Sequence, residues 1–261
     1  MIDHRLFRAT LSVLFAAMMV VAAQAAPCPG NPDALGTARD LPVDAARTPR
    51  VGHKQFPQTL PLSPGEVVLT FDDGPWPNTT ERVLDALRAE CVRATFFLIG
   101  KNALARPALA ERELAEGHSI GYHSFSHPML DHMPIGAAES DIDRGITAVD
   151  TALHAPMGQA AAPFFRFPYF ASTAPLLDWL AGRHMVVFGA DLWASDWNRM
   201  TPDQELELIL SRVEATRGGI VLFHDTKAQT AAMLPAFLRA LKTRGFSIVH
   251  VVAAGGEPPT Q

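Results

Sequence analysis

Two adjacent carboxylates, Asp72 and Asp73, end an apolar run that the chain closes with Gly74-Pro75. Neighbouring residues at a strand end project in different directions, so one carboxylate can bind a cation while the other handles a proton. On its own the pair could also cap the helix that starts near Thr79. A second group, His123-Ser124-Phe125-Ser126-His127, ends another strand pattern and is stopped by Pro128. Two imidazoles four residues apart can converge on one ion if the segment turns helically, and neutral imidazole suits zinc or a related transition metal. A purely structural pair remains open at this point, with His118 and His132 close enough to compete for the assignment.

Three further strand ends carry polar groups. Arg166, in Phe164-Phe165-Arg166-Phe167-Pro168-Tyr169, is costly to bury unless a carboxylate pairs with it, and Asp72 is the natural partner. Asp191-Leu192-Trp193-Ala194-Ser195-Asp196-Trp197 offers aromatic faces that a sugar ring or a packed barrel mouth could use. Ile220-Val221-Leu222-Phe223-His224-Asp225 delivers a histidine from a buried strand, and beside four other such sites a general acid is favoured over a core histidine.

The elements that must position these residues follow from periodicity. Strands are predicted at Val67–Phe71, Ala94–Ile99, Ser119–His123, Phe164–Phe167, Met185–Gly189, Ile220–His224 and Phe246–Val252. Helices are predicted between them at Thr80–Ala89, Ala108–Glu116, Ala137–Leu153, Asp203–Ala215 and Ala231–Thr243. The alternation predicts an α/β fold around a parallel sheet. Seven strands can close as an irregular (β/α) barrel or stay open as a doubly wound sheet, and periodicity alone does not choose. Either way the C-terminal strand ends gather the chemistry.

Taken in order, the five motifs from Thr70 to His224 resemble the polysaccharide deacetylase family, carbohydrate esterase family 4 or NodB-homology domain. The resemblance implies a deformed (β/α) barrel of about seven parallel strands. It also implies a divalent metal held by Asp73, His123 and His127, with zinc preferred and cobalt or nickel as alternatives. Asp72 would be the catalytic base, oriented by Arg166. Asp196 would support Arg166, His224 would be the general acid, Trp197 and Leu222 would line the site, and the Tyr169 N–H would help bind an oxyanion. Phe170 stands where many relatives carry Gly or Trp, which leaves the shape of that wall open, and the loose pattern before Asp196 argues against a role for Asp191. The expected reaction removes N-acetyl groups from a glycan containing N-acetylglucosamine, with peptidoglycan slightly favoured. An amidohydrolase of the same fold acting on a small amide and a non-catalytic glycan-binding relative are the alternatives.

Composition agrees with a single exported domain. The 261 residues are 48% hydrophobic and 19% charged, ample for one core. Acidic residues outnumber basic ones 27 to 22, with no basic stripe, so nucleic acid is not an expected partner. Arg5 and Arg8, the apolar run Leu11 to Ala23 and the small residues around Ala25 read as a signal peptide over 1–25. The run is shorter than the ~20 residues of a membrane span. A periplasmic or extracellular monomer without a stable membrane anchor is therefore expected. Residues 26–64 read as an extended tail or linker without chemistry, and 65–256 as the catalytic domain. Cys28 and Cys91 could form one disulfide or remain two thiols.

Overall fold

The computed structural model describes residues 28–154 and 161–255, so the leader assigned to 1–25 lies outside the described residues. The strands are β1 (Thr37–Val43), β2 (Arg50–Val51), β3 (Glu66–Asp72), β4 (Thr95–Leu98), β5 (Ser119–Tyr122), β6 (Phe164–Phe165), β7 (Val186–Phe188), β8 (Leu192–Trp193), β9 (Gly219–His224) and β10 (Ser247–Ala253). The helices are α1 (Thr80–Ala89), α2 (Gly100–Ala105), α3 (Pro107–Ala115), α4 (Ile135–Ala152), α5 (Ala174–Ala181), α6 (Pro202–Thr216) and α7 (Ala228–Thr243). No helix among the described residues is long and apolar enough to cross a membrane.

Every ladder is parallel, and β8-β9-β3-β4-β5-β6-β7 form a continuous run of seven strands. The run curls into a deformed barrel. Inside it the Phe97 ring of β4 lies 5.5 Å from Phe188 of β7, and Phe164 of β6 lies 4.9 Å from Phe188. Among the described residues no ladder joins β7 to β8; only Gly189-Ala190-Asp191 connects them. Side chains alternate along each strand, so Phe71, Phe96 and Phe223 face outward against the helices, while Val68, Phe97, Phe164 and Ile220 fill the interior.

The predicted strand at Phe246–Val252 forms, yet it is not a barrel stave. As β10 it pairs with β1 and with only the first two residues of β3, and it seats Val249 and Val251 beside Val43 and Leu60 in the interior cluster. The seventh barrel position belongs to β8, two residues long and too short to leave a period in the sequence.

The segment expected to be an extended tail supplies two strands of the sheet, β1 on β10 and β2 on β7. A disulfide joins Cys28 to Cys91, resolving the alternative the sequence left open. Leu35 N–H donates to the Glu90 carboxylate and Arg93 N–H to Thr37 Oγ1, so this stretch docks across the end of α1.

Below the barrel His118 is buried, its Nδ1 accepting from Ala94 N–H. Burial pushes its pKa down to about 3, with His250 and nearby arginines adding to the fall. The unfolded chain, where histidine titrates near 6.5, binds this proton more readily, so the stability owed to neutral His118 is present above pH ~6.5 and lost as pH falls from there towards 3. Denaturant unfolding at stepped pH should give a loss of about 1.4 kcal/mol per pH unit from this residue, and the slope should flatten by one proton in a His118→Asn variant.

Candidate active site

All five predicted strand ends open onto one cavity of about 560 Å³, lined among others by Asp72, Asp73, His123, His127, Tyr169, Trp197, Leu222 and His224. Asp72 closes β3 in register with His224 at the end of β9. His123 follows β5, and Arg166 follows β6. Asp73 adopts a left-handed backbone (φ 77°), which turns the chain off the strand and swings its carboxylate towards the two histidines.

Asp73 Oδ1 lies 3.2 Å from His127 Nε2 and 3.6 Å from His123 Nε2. Ligand atoms of all three residues fall within 4.8 Å of one another. Tetrahedral zinc with bonds of about 2.0–2.2 Å would separate its ligands by roughly 3.4 Å. Asp73 Oδ1 is buried with no hydrogen-bond partner, an orphan that a cation would satisfy. His123 Nδ1 is 2.7 Å from the Arg166 carbonyl, a bond that leaves Nε2 deprotonated and turned to the site. Burial, opposed by the charge of Asp73, takes the His123 pKa down to about 3 and keeps its ring neutral. The residues therefore fit a divalent metal.

The histidine loop does not use the helical turn anticipated from the four-residue spacing. Ser124 (φ 60°) and His127 (φ 62°) are left-handed, and α4 shapes the loop instead. Asp141 accepts from Phe125 N–H at 3.0 Å, Ser126 N–H at 3.2 Å and Ser126 Oγ at 2.7 Å. Gly145 lets α4 approach: a Cβ there would meet the Ser124 carbonyl carbon at 2.4 Å. From the other side, Gly100 N–H and Lys101 N–H donate to the Ser124 and Phe125 carbonyls, and Asn102 donates to the Asp73 carbonyl at 2.8 Å. Asp141→Ala should weaken divalent-metal binding about 10- to 100-fold, measured by competition with a chelator, because the loop loses three anchoring bonds while all three candidate ligand residues remain in the chain.

On one flank of the ligand set, Arg166 Nη1 donates to Asp72 Oδ1 at 2.7 Å and Thr70 Oγ1 at 2.8 Å, and Nη2 donates to the Gly189 carbonyl at 2.8 Å. Both partners of this ion pair are buried. Burial raises the Asp72 pKa, and the charges of Arg166 and His224 pull it back only in part. On the other flank, His224 Nδ1 is 2.7 Å from Asp196 Oδ1, while His224 N–H donates to Asp196 Oδ2 at 2.6 Å. Burial pulls the His224 pKa down, but Asp196, aided by Asp73 and Asp72, outweighs it and holds the imidazole at about 9.

Comparison with known proteins matches this arrangement. The polysaccharide deacetylase family model matches residues 60–182. A chitooligosaccharide deacetylase of Sinorhizobium fredii is 32% identical over 195 residues, which cover 70% of this chain and 88% of that protein. The chain belongs to the polysaccharide deacetylase family. A peptidoglycan-N-acetylglucosamine deacetylase of Listeria monocytogenes is 33% identical over 73% of this chain, and the match spans only 39% of that longer protein. Among solved structures, the Bdellovibrio bacteriovorus peptidoglycan deacetylase superposes with a TM-score of 0.73 at 32% identity, covering 83% of this chain and 59% of that one.

One role expected from the family resemblance needs correction. Asp196 does not support Arg166; its carboxylate is spent on His224 and on the Thr230 hydroxyl at 3.0 Å, because it sits beyond β8 on the β9 side of the barrel. Arg166 is held instead by Thr70 and backbone carbonyls. Phe170 forms a wall by stacking on Trp193, ring centroids 6.2 Å apart. Asp191 is not among the residues that line this cavity; it accepts from His53 N–H, Thr59 Oγ1 and Ile220 N–H, tying the N-terminal segment to β9. Asp141, Asn102 and Thr230 escaped sequence reasoning. They act through loops, and no strand-end pattern marks them.

Proposed function

We propose that the chain is a zinc-dependent N-deacetylase of glycans containing N-acetylglucosamine, with peptidoglycan the favoured polymer. The observation that carries this reading is the metal-ligand set flanked by two opposed pairs, Asp72–Arg166 and Asp196–His224, in one aromatic cavity. Bound zinc would supply a Lewis acid that polarises the acetamide carbonyl and acidifies the attacking water. Asp72, with Oδ1 anchored by Arg166, keeps Oδ2 for that water's proton as oxygen bonds to the carbonyl carbon. The Tyr169 N–H would assist the oxyanion. His224, protonated and steered by Asp196, passes its Nε2 proton to the nitrogen as the C–N bond breaks, leaving acetate and a free amine.

A sugar ring fits the aromatic mouth. Of the exposed large apolar side chains among the described residues, Tyr169 and Trp197 line the cavity, beside the aromatic Phe167, Phe170 and Trp193. Aromatic faces at the mouth suit a sugar ring better than a small amide, and a binding-only relative would not need a complete ligand set with a base and an acid. The disulfide and the leader-like first residues support export to the periplasm or the extracellular space.

Acetate release from peptidoglycan and N-acetylglucosamine oligomers, with and without chelator, tests the proposal. Release that a chelator abolishes and added zinc restores is expected. Zinc-loaded protein that frees no acetate from either would sink it.

A further inference from the structure

The general acid is tied into a chain of buried groups that runs past Asp196 and that the deacetylation steps leave unused. Asp196 Oδ2 lies 3.0 Å from Thr230 Oγ1 of α7, and the same hydroxyl lies 2.8 Å from Glu205 Oε1 of α6. Thr230 and Glu205 are both fully buried, and Glu205 Oε2 has no hydrogen-bond partner. A capping box sets the turn of α6 that carries Glu205: Thr201 Oγ1 accepts from Gln204 N–H, and Gln204 Oε1 accepts from Thr201 N–H. Further along the same helix, Arg212 donates to the Trp193 carbonyl and to Ser195 Oγ, so α6 also grips the segment leading into Asp196.

Counting protons decides what Glu205 is. A hydroxyl has one proton to give, and Thr230 stands between two carboxyl groups. Were both ionised, one of the two oxygen contacts would hold no hydrogen, and a buried anion would face lone pairs. Asp196 is the ionised partner, because it accepts from His224 N–H at 2.6 Å and pairs with His224 Nδ1 at 2.7 Å. The second proton therefore belongs to Glu205, and the chain runs one way: Glu205 donates to Thr230, and Thr230 donates to Asp196. The surroundings agree. Burial pushes the Glu205 pKa up to about 7, and the charge of Asp196 adds to the rise against the pull of Thr230 and His224.

We propose that Glu205 is a positioning residue for the general acid: as a neutral buried acid it fixes Asp196, through Thr230, from the α6 side of the barrel. With Oδ2 held, Asp196 keeps Oδ1 on His224 Nδ1 both before and after the imidazole gives up its Nε2 proton. A neutral Glu205 also adds no second negative charge that would tighten the imidazole's hold on that proton. This assignment rests on the deacetylase reading and extends its acid side by two residues.

The test uses the whole protein and paired substitutions. Glu205→Leu and Thr230→Val each break the chain and should lower kcat about five- to tenfold with KM unchanged, the scale of one lost hydrogen bond in a buried network. Glu205→Gln keeps an amide N–H for Thr230, and Thr230→Ser keeps the hydroxyl, so each should recover most of that loss. On the residual activity of an Asp196→Asn background, Glu205→Leu should cost nothing more. Two spectra need no turnover. The infrared difference between wild type and Glu205→Gln below neutral pH should show the carbonyl band of a protonated carboxyl, and the His224 Nδ1–H proton resonance should move in Thr230→Val and return in Thr230→Ser. Equal losses in Glu205→Gln and Glu205→Leu, a change in KM instead of kcat, additivity with Asp196→Asn, or a missing carboxyl band overturns the assignment. Should Glu205→Leu not fold, Thr230→Val, close in shape to the residue it replaces, carries the kinetic test. Should wild type release no acetate, the deacetylase reading fails by itself, and the two spectra still decide whether Glu205 is a neutral acid coupled to His224.

Discussion

Asp72→Asn should lower kcat about 10²- to 10⁴-fold while the protein still takes up one equivalent of divalent metal. The side chain keeps its shape, and its amide oxygen can still accept from Arg166 Nη1, which now donates to Asp72 Oδ1. What disappears is the free Oδ2 that would receive a proton. His127→Ala is the contrasting variant, because it deletes a ligand atom 3.2 Å from Asp73 Oδ1 and should lose metal and activity together. Metal content by atomic absorption, set beside initial rates of acetate release, separates the two. Equal metal loss in both variants would contradict the division of labour between the adjacent aspartates.

The second large effect concerns stability. Arg166→Met should cost about 3–5 kcal/mol and lower Tm by roughly 10 °C, because it leaves the Asp72 carboxylate buried without its counter-charge. Arg166→Lys should recover little. One ammonium cannot serve Asp72, Thr70 and the Gly189 carbonyl from the positions that a planar guanidinium occupies, nor lie flat over Phe97 at 4.3 Å. Adding Asp72→Asn to Arg166→Met removes the orphaned charge and should restore part of the stability without restoring turnover. Denaturant unfolding of the three variants checks this, and a double variant no more stable than Arg166→Met would mean that Arg166 acts through packing alone.

The barrel was legible wherever one strand was long enough to carry a period. β3, β5 and β9 fall within a residue or two of the predicted spans, and α1 matches its predicted limits, since apolar runs and helical stripes report burial directly. The site residues were legible for a related reason: parallel strands point one way, so a polar residue just past an apolar run must face the same mouth. Illegible were features decided by tertiary contact. β1 and β2 lie in a Pro- and Gly-rich stretch whose pairing comes from β10 and β7, not from local pattern. The family resemblance pairs Asp196 with Arg166, and only the three-dimensional path past β8 assigns it to His224. Asp141, mid-helix in α4, is indistinguishable in sequence from a solvated helix-face acid until the histidine loop is laid against it.

The docking of β1 and β2 bears on how much of the chain forms one cooperative unit. The family match begins at residue 60, whereas Asp191 reaches back to His53 and Thr59, and Val43 and Leu60 share the interior with Phe97 and Phe164. A fragment starting at residue 60 would strip β10 and β7 of their neighbours and bare two rows of unpaired amides at opposite borders of the sheet. Such a piece would retain all three candidate metal ligands and both carboxylate–cation pairs, yet it would be prone to self-association. The folded unit thus reaches some thirty residues ahead of the family match, back to Cys28 in its disulfide with Cys91.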